Sequence, residues 1–316
     1  MKHKIIIDTD PGIDDAMAIH MAFADQRLDV IGLTSIFGNV TTNKATRNAL
    51  RLAEMANYRT IVAPGELVPL IRTPESPADW VHGSEGFGTI PAATPAGDAD
   101  SRSAARFLCE SCAAAPGEIT ICAVGPLTNL AAALSLDSNI VRNVKSVVIM
   151  GGSYAYHGNV TSCAEANIWN DPDAADRVFA ADWDMTMVGL DVTERTQCTP
   201  DDFAFLASRS PHIGGFLNEA ANFYFNFHQS KTGIRSCFMH DPSAILAITD
   251  AHLFGFEVVP MAVVCKGEEI GRTRLYKGQD RRPVKVATSV DNVATREKFM
   301  GLVANADSMS RMREAG

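Results

Sequence analysis

Lys4-Ile5-Ile6-Ile7-Asp8-Thr9-Asp10-Pro11-Gly12-Ile13-Asp14-Asp15-Ala16-Met17-Ala18-Ile19 begins with a short β-branched run, which reads as a strand buried on both faces. Pro11-Gly12 breaks the run, and an apolar helix follows from Ile13 to about Ala24. Asp8, Asp10, Asp14 and Asp15 therefore crowd one strand-to-helix turn. In an open α/β sheet such a turn lies at the carboxyl edge, where ligands bind. Asp14 and Asp15 near a helix N-terminus are favoured by the helix dipole, by roughly 0.3–1 kcal/mol each. The dipole does not account for Asp8 and Asp10, which repel the other two acids unless a cation sits among them. A hard, oxygen-preferring ion, Ca²⁺ or Mg²⁺, is the expected remedy.

Outward from this turn, strand and helix patterns alternate. Strands are predicted over 28–37, 61–63, 119–124, 144–150 and 185–190, with late strands over 258–265 and 284–290. Helices are predicted over 42–57, 101–115 (capped by Ser101), 128–136 and 171–181. After Thr199 the pattern turns helical, over 203–208, 213–229 and 242–249, with a closing helix over 292–305. Between Pro64 and Asp100 the periodicity fails and six prolines appear, which predicts a long loop of the kind that is usually functional. The β-α-β-α order predicts an α/β fold: an open, mostly parallel, Rossmann-like sheet with helices on both faces. A helical insertion is expected in the C-terminal half. Neither a low-complexity linker nor an internal repeat divides the 316 residues, so one domain, 1–316, is expected.

The formal net charge of −9 argues against a nucleic-acid partner, because no basic stripe exists to neutralise phosphates. No run of 18 apolar residues suggests a membrane span, and Met1-Lys2-His3-Lys4 leads straight into a strand rather than a signal peptide. Among the seven cysteines, Cys109-Glu110-Ser111-Cys112 is formally C-x-x-C. It lies on a predicted helix with no second pair or nearby His to complete a zinc set, so buried small hydrophobes are expected. An odd count without a framework points to a reducing, cytoplasmic setting.

Polar residues recur at the predicted strand ends: Asn39 after the second, Val124-Gly125-Pro126 after a middle one, Gly151-Gly152 after the next. His82 sits in Trp80-Val81-His82-Gly83-Ser84-Glu85-Gly86-Phe87-Gly88, whose glycines give it the hinges to close over a ligand. On local sequence alone it reads equally as a surface His on a flexible loop. Asn159, Glu165 and Asn167 carry amides and a carboxylate of the kind that hold paired hydroxyls, or else form an ordinary polar loop. His240-Asp241-Pro242 opens a helix with proline in the first turn; Asp241 serves there as an N-cap, or as a metal ligand beside a proton-transferring His240. Phe223-Tyr224-Phe225-Phe227-His228 reads as core aromatics or as a lid that stacks on a base.

Taken together these pieces resemble the nucleoside hydrolase family, the inosine/uridine-preferring ribohydrolases. Asp8-Thr9-Asp10-Pro11-Gly12-Ile13-Asp14-Asp15-Ala16 matches the family's D-T-D-P-G-x-D-D-A motif throughout. Gly38-Asn39, Gly125-Pro126-Leu127-Thr128-Asn129, Met150-Gly151-Gly152, Asp171-Pro172 and His240-Asp241-Pro242 follow in the family's order. The resemblance implies Ca²⁺-dependent hydrolysis of the N-glycosidic bond of ribonucleosides, with Asp10, Asp15, Asp241 and the Val124 carbonyl as protein ligands. It implies Asp10 as general base toward the attacking water. Asp14 and Asn167 would grip the 2′- and 3′-hydroxyls, Asn159 and Glu165 the 5′-hydroxyl. Asn39 would position sugar and water, and His240, with His82 near the base, would favour its departure. A homodimer or homotetramer acting on a small nucleoside is implied as well.

Ala166 stands where family members commonly carry an aromatic residue, which enlarges the expected ribose pocket on the 5′ side, and Trp169-Asn170 is unusual before Asp171-Pro172. His82 and His240 favour the inosine/uridine-type group over the purine-specific one, which uses tryptophans there. Two rival readings remain at this point: a haloacid-dehalogenase-type phosphatase, which also places Asp-x-Asp after its first strand, and a non-catalytic Ca²⁺- or ribose-binding protein.

Overall fold

The computed structural model describes residues 2–315. Its strands are β1 (His3–Thr9), β2 (Leu28–Ser35), β3 (Ile61–Pro64), β4 (Ile119–Ala123), β5 (Ser146–Met150), β6 (Met185–Val188), β7 (Gln197–Cys198), β8 (Cys237–Phe238), β9 (Phe254–Val259), β10 (Met261–Val263), β11 (Thr273–Leu275) and β12 (Val284–Val290). Eight of them form one sheet in the order β3-β2-β1-β4-β5-β6-β12-β9. Every pairing in it is parallel except that of β9, which runs antiparallel to β12 at the edge.

The isoleucine run explains why β1 is central. Ile5 and Ile7 pack into the apolar cluster on one face of the sheet and Ile6 into the cluster on the other. A strand with both faces covered needs apolar residues at every position, not at alternate ones. From β1 the chain first builds outward through β2 and β3, then returns to add β4, β5 and β6 on the other side. The order therefore reverses between β1 and β4, and a crevice opens at their carboxyl ends. The signature turn lies at the mouth of that crevice.

After β6 the chain turns helical, as expected. Helices Pro200–Arg209 and Ile213–Thr232 leave and return through β7 and β8. These two pair antiparallel, Gln197 with Phe238 and Cys198 with Cys237, and close the neck of the insertion.

The structure corrects several expected boundaries. The strand expected over 258–265 is two strands in different sheets: Pro260, which lacks an N–H, ends β9, and β10 pairs instead with β11. The helix expected from Ser101 begins at Ala104, capped by the Ser103 hydroxyl, which accepts from Arg106 N. The long loop contains a helical turn, Asp79–His82, and the closing helix ends at Val303 before a further helix, Ala306–Ala315. Cys109 and Cys112 are buried free thiols, as expected. No helix among the described residues is long and apolar enough to cross a membrane.

Candidate functional site

Four segments meet at the crevice: the β1 turn, Asn39 after β2, Val124 after β4, and the helix His240–Thr249. Asp15 organises the turn. Its Oδ2 accepts from Gly12 N (2.9 Å) and Asn39 Nδ2 (3.0 Å), and its Oδ1 from the Thr9 hydroxyl (2.5 Å). Asp10 Oδ2 accepts from Asn39 N (2.6 Å), while Asp10 Oδ1 is buried without a partner. Two glycines make room for this carboxylate: a Cβ on Gly38 would fall 2.1 Å from Asp10 Oδ2, and one on Gly125 2.7 Å from Oδ1.

Asp8 does not join the nest. Its Oδ1 accepts from the Thr34 hydroxyl (2.5 Å) across the β1–β2 pairing and from Asn129 Nδ2 (2.7 Å). It pins the first strand to its neighbours, so three acids of the signature face the crevice, not four. Asp241 replaces it, carried in by the helix His240–Thr249. One carboxylate oxygen each from Asp14, Asp15 and Asp241 lie within 4.8 Å of one another. Asp14 rather than Asp10 thus completes the tightest trio, with Asp10 beside it.

Burial, reinforced by the neighbouring carboxylates, holds Asp10 and Asp241 well above the ordinary range, and burial raises Asp14 and Asp15 to about 6. So many desolvated acids facing one another repel unless a positive charge compensates. The donors are all oxygens, and the buried Asp10 Oδ1 and Asp14 Oδ1 lack partners; a hard divalent cation such as Ca²⁺ fits this donor set.

Beside the trio, Asn167 Nδ2 donates to Val124 O (3.0 Å) and Met150 O (3.1 Å), tying the ends of β4 and β5. Glu165 caps the short helix Ala166–Asn170: its carboxylate accepts from Asn167 N (2.9 Å), Ile168 N (3.1 Å) and Gly152 N (2.9 Å). Burial raises it to about 7. Asn159 lies outside the buried nest, exposed on the preceding loop, with its Oδ1 accepting from Ala166 N (3.0 Å).

Two imidazoles stand above the carboxylates. His82 ends the helical turn Asp79–His82, and its Nδ1 accepts from Ile13 N (3.2 Å). The same nitrogen is 3.8 Å from Asp14 Oδ1, but an Nδ1 that accepts a backbone N–H carries no proton, so this contact is not an ion pair. Burial pushes His82 down to about 4. His240 Nδ1 lies 2.8 Å from the Thr193 hydroxyl, and burial, then the nearby His228 and His82, lower it to about 3. Both rings rest neutral near pH 7, each with one N–H to offer.

Several residues here escape the sequence reading. Thr193 arrives on the short helix Leu190–Thr193 after β6, with no local pattern to mark it. Asn48 Nδ2 donates to both Pro11 O (3.0 Å) and Glu85 O (2.9 Å), linking the signature turn to the His82 loop. Asp171 Oδ2 accepts from Leu70 N (2.8 Å) and the Thr128 hydroxyl (2.8 Å), anchoring the first part of the long loop. Tyr224 and His228, by contrast, belong to the stretch read as core aromatics or a lid, and their four-residue spacing puts both on one helix face.

The family model described as inosine-uridine preferring nucleoside hydrolase matches residues 5–297. Uridine nucleosidase 1 of Arabidopsis thaliana is 40% identical over 302 residues, 92% of this chain and 90% of that protein. A solved plant nucleoside hydrolase superposes with a TM-score of 0.92 at 36% identity, covering 96% of this chain and 99% of that one. The purine-preferring ribonucleoside hydrolase of Gardnerella vaginalis also reaches 0.92, at 29% identity over 98% and 99%. Neither a phosphatase nor a non-catalytic binding protein is favoured by these likenesses.

Proposed function

The chain belongs to the inosine-uridine preferring nucleoside hydrolase family and is an N-ribosyl hydrolase; from that premise we propose that it splits ribonucleosides into ribose and free nucleobase in a Ca²⁺-dependent reaction through an oxocarbenium-like transition state. The observation that carries this reading is the convergence of Asp14, Asp15 and Asp241 oxygens within 4.8 Å at the sheet's switch point, below two buried histidines. Asp10, Asp15, Asp241 and the Val124 carbonyl would hold the ion. When bound, Ca²⁺ supplies positive charge that acidifies a water and grips vicinal hydroxyls.

The chain's own residues do the rest. Asp14 and Asn167 hold the 2′- and 3′-hydroxyls, and Asn159 with Glu165 the 5′-hydroxyl. Asn39 locks the Asp10 and Asp15 carboxylates in place through its own N–H and amide. The water oxygen bonds to C1′ as the bond from C1′ to the base nitrogen breaks, and a water proton passes to the unpartnered Asp10 Oδ1. Positive charge grows on the sugar in the transition state, where the acidic floor stabilises it more than it stabilises the neutral nucleoside. With the Thr193 hydroxyl donating to its Nδ1, His240 keeps its proton on Nε2, as His82 does; both neutral rings donate a hydrogen bond to the departing base, which takes up, by way of solvent, the proton that Asp10 received from the water.

The test is release of reducing sugar from inosine and uridine. Asp10→Asn is expected to fold and to lose about 10²–10⁴-fold in kcat; activity within threefold of the parent removes Asp10 from the base role. Turnover of p-nitrophenyl phosphate but not of p-nitrophenyl riboside would overturn the whole reading. Uridine is a fitting first substrate, because a uridine nucleosidase is among the relatives. We also propose that residues 1–316 act as one domain, in the cytoplasm, as a homodimer or homotetramer, which light scattering resolves. Seven free thiols suit a reducing compartment.

A further inference from the structure

The short helix Leu190–Thr193, which follows β6, reaches two sides of the site. Thr193 meets His240. Asp191, two residues earlier, turns to a different side, because residues two apart on a helix do not share a face. It is 4% exposed. Its Oδ1 accepts from Ala155 N (2.7 Å) and its Oδ2 from Tyr154 N (2.8 Å). The scheme above gives this buried carboxylate no part.

The two N–H groups it holds open the loop 154–163, which carries Asn159 and leads into Glu165. None of the residues 154–163 is buried, so polar anchors rather than apolar packing fix the loop's course. Its internal bonds, Gly158 N to Ser162 O and Asn159 N to Ala164 O (3.1 Å each), shape the loop without attaching it to the sheet. The Tyr154 hydroxyl reaches Glu257 (3.2 Å) and His157 Nε2 stands 3.7 Å from Glu194 Oε2. Both contacts are open to solvent and contribute little. Asp191 instead anchors the loop from inside the fold. Its helix also grips the residue where the loop departs: Leu190 N donates to Gly152 O (2.9 Å), while Gly152 N donates to Glu165 Oε2 (2.9 Å). Asparagine is nearly the same size as aspartate but would turn an amide donor toward one of the two loop N–H groups. A buried carboxylate suits a loop whose start must not move.

We propose that Asp191 is a positioning residue of the reaction: by clamping the Tyr154 and Ala155 N–H groups it sets the loop that presents Asn159 and Glu165 to the 5′ end of the sugar. The proposal rests on the hydrolase reading. One helix then serves two ends of the substrate, Asp191 acting through the loop on the sugar and Thr193 through His240 on the leaving group.

The test, on the full chain, compares kcat/KM for uridine with that for 5′-deoxyuridine, which lacks the hydroxyl that Asn159 and Glu165 hold. The parent is expected to favour uridine by about tenfold or more, since a site built to bond a hydroxyl rejects the analogue without it. In Asp191→Asn that preference should fall about fivefold or more through loss on uridine, with 5′-deoxyuridine cleaved within about threefold of the parent rate. If that variant does not fold, Asp191→Ala, whose smaller side chain leaves room for water to take the two N–H groups, is read in the same way. Thr193→Val gives the contrast from the same helix: it should slow both substrates together and keep their ratio within about twofold. A merely structural Asp191 would likewise cost both substrates equally, so equal losses, or an unchanged preference, overturn the proposal. A change of ratio in Thr193→Val as large as that in the Asp191 variant overturns it too, as does a parent with no preference. A parent that cleaves neither substrate overturns the hydrolase reading along with it. A parent that cleaves and discriminates, beside an Asp191 variant that discriminates as well, overturns this proposal alone.

Discussion

Asp10 is held so tightly that its surroundings are as informative as the carboxylate. Glycines crowd both of its oxygens, and Asn39 fixes one of them. Gly125→Ala would set a Cβ 2.7 Å from Asp10 Oδ1 and 2.7 Å from Ile36 Cγ2, with buried atoms on both sides. The expected cost is about 1–3 kcal/mol of stability, seen as a lower denaturant midpoint, and at least a tenfold loss of kcat while KM moves less. At this scale much was legible in the chain: the D-T-D-P-G-x-D-D run announced its acids, whereas the helix start at His240-Asp241-Pro242 left Asp241 open between an N-cap and a metal ligand. The place of Asp8 was not legible, because only the sheet register shows that it faces Thr34 and Asn129. Thr193 carries no local mark at all, since its role exists only once β6 and the helix His240–Thr249 are neighbours.

The elements themselves were mostly readable, because the long β-branched and amphipathic runs have strong periods. What failed were the boundaries. Pro260 divides a continuous apolar run between two sheets, and a serine two residues further on takes the helix cap. The long loop was recognised as a loop, but its anchoring was not. The His82 segment is clasped to helix Thr42–Met55: Glu85 meets Lys44 at 3.2 Å and Arg47 at 2.8 Å, and Asn48 holds the Glu85 carbonyl. Surface ion pairs of this type contribute only about 0–1 kcal/mol, so the buried amide matters more. Asn48→Asp is nearly isosteric but cannot donate to the Pro11 and Glu85 carbonyls. It is expected to lower kcat/KM about tenfold and to speed amide hydrogen exchange over residues 79–90. Unchanged exchange there would remove Asn48 as the link between turn and loop.

At the scale of the molecule, the acid nest ties stability to pH and to the ion. Asp14 and Asp15 rise from the usual 3.8 to about 6 in the folded chain. A raised folded-state value means the metal-free fold gains relative stability as pH drops through about 6 and gives it up at pH 8, where both acids are charged. Protons would compete with a divalent cation such as Ca²⁺ for the same oxygens, and a ligand of the folded state raises its melting temperature. Saturating Ca²⁺ is therefore expected to raise Tm more at pH 8 than at pH 5. An equal rise at both values would mean the ion binds elsewhere. The overall architecture was foreseeable from the βα alternation, whereas the narrow neck formed by β7 and β8 was not, since strands of two residues leave no periodicity to read.

That neck divides the labour of the protein. The carboxylates of the signature turn stand on the sheet edge, but Tyr224 and His228 come from a loop of chain that leaves and re-enters through one pair of strands. Its transplantation between relatives that favour different bases, cut at Gln197 and Phe238, would exchange the choice of substrate while leaving the hydrolytic machinery intact. Selectivity in this scaffold is then free to drift without endangering the chemistry beneath it.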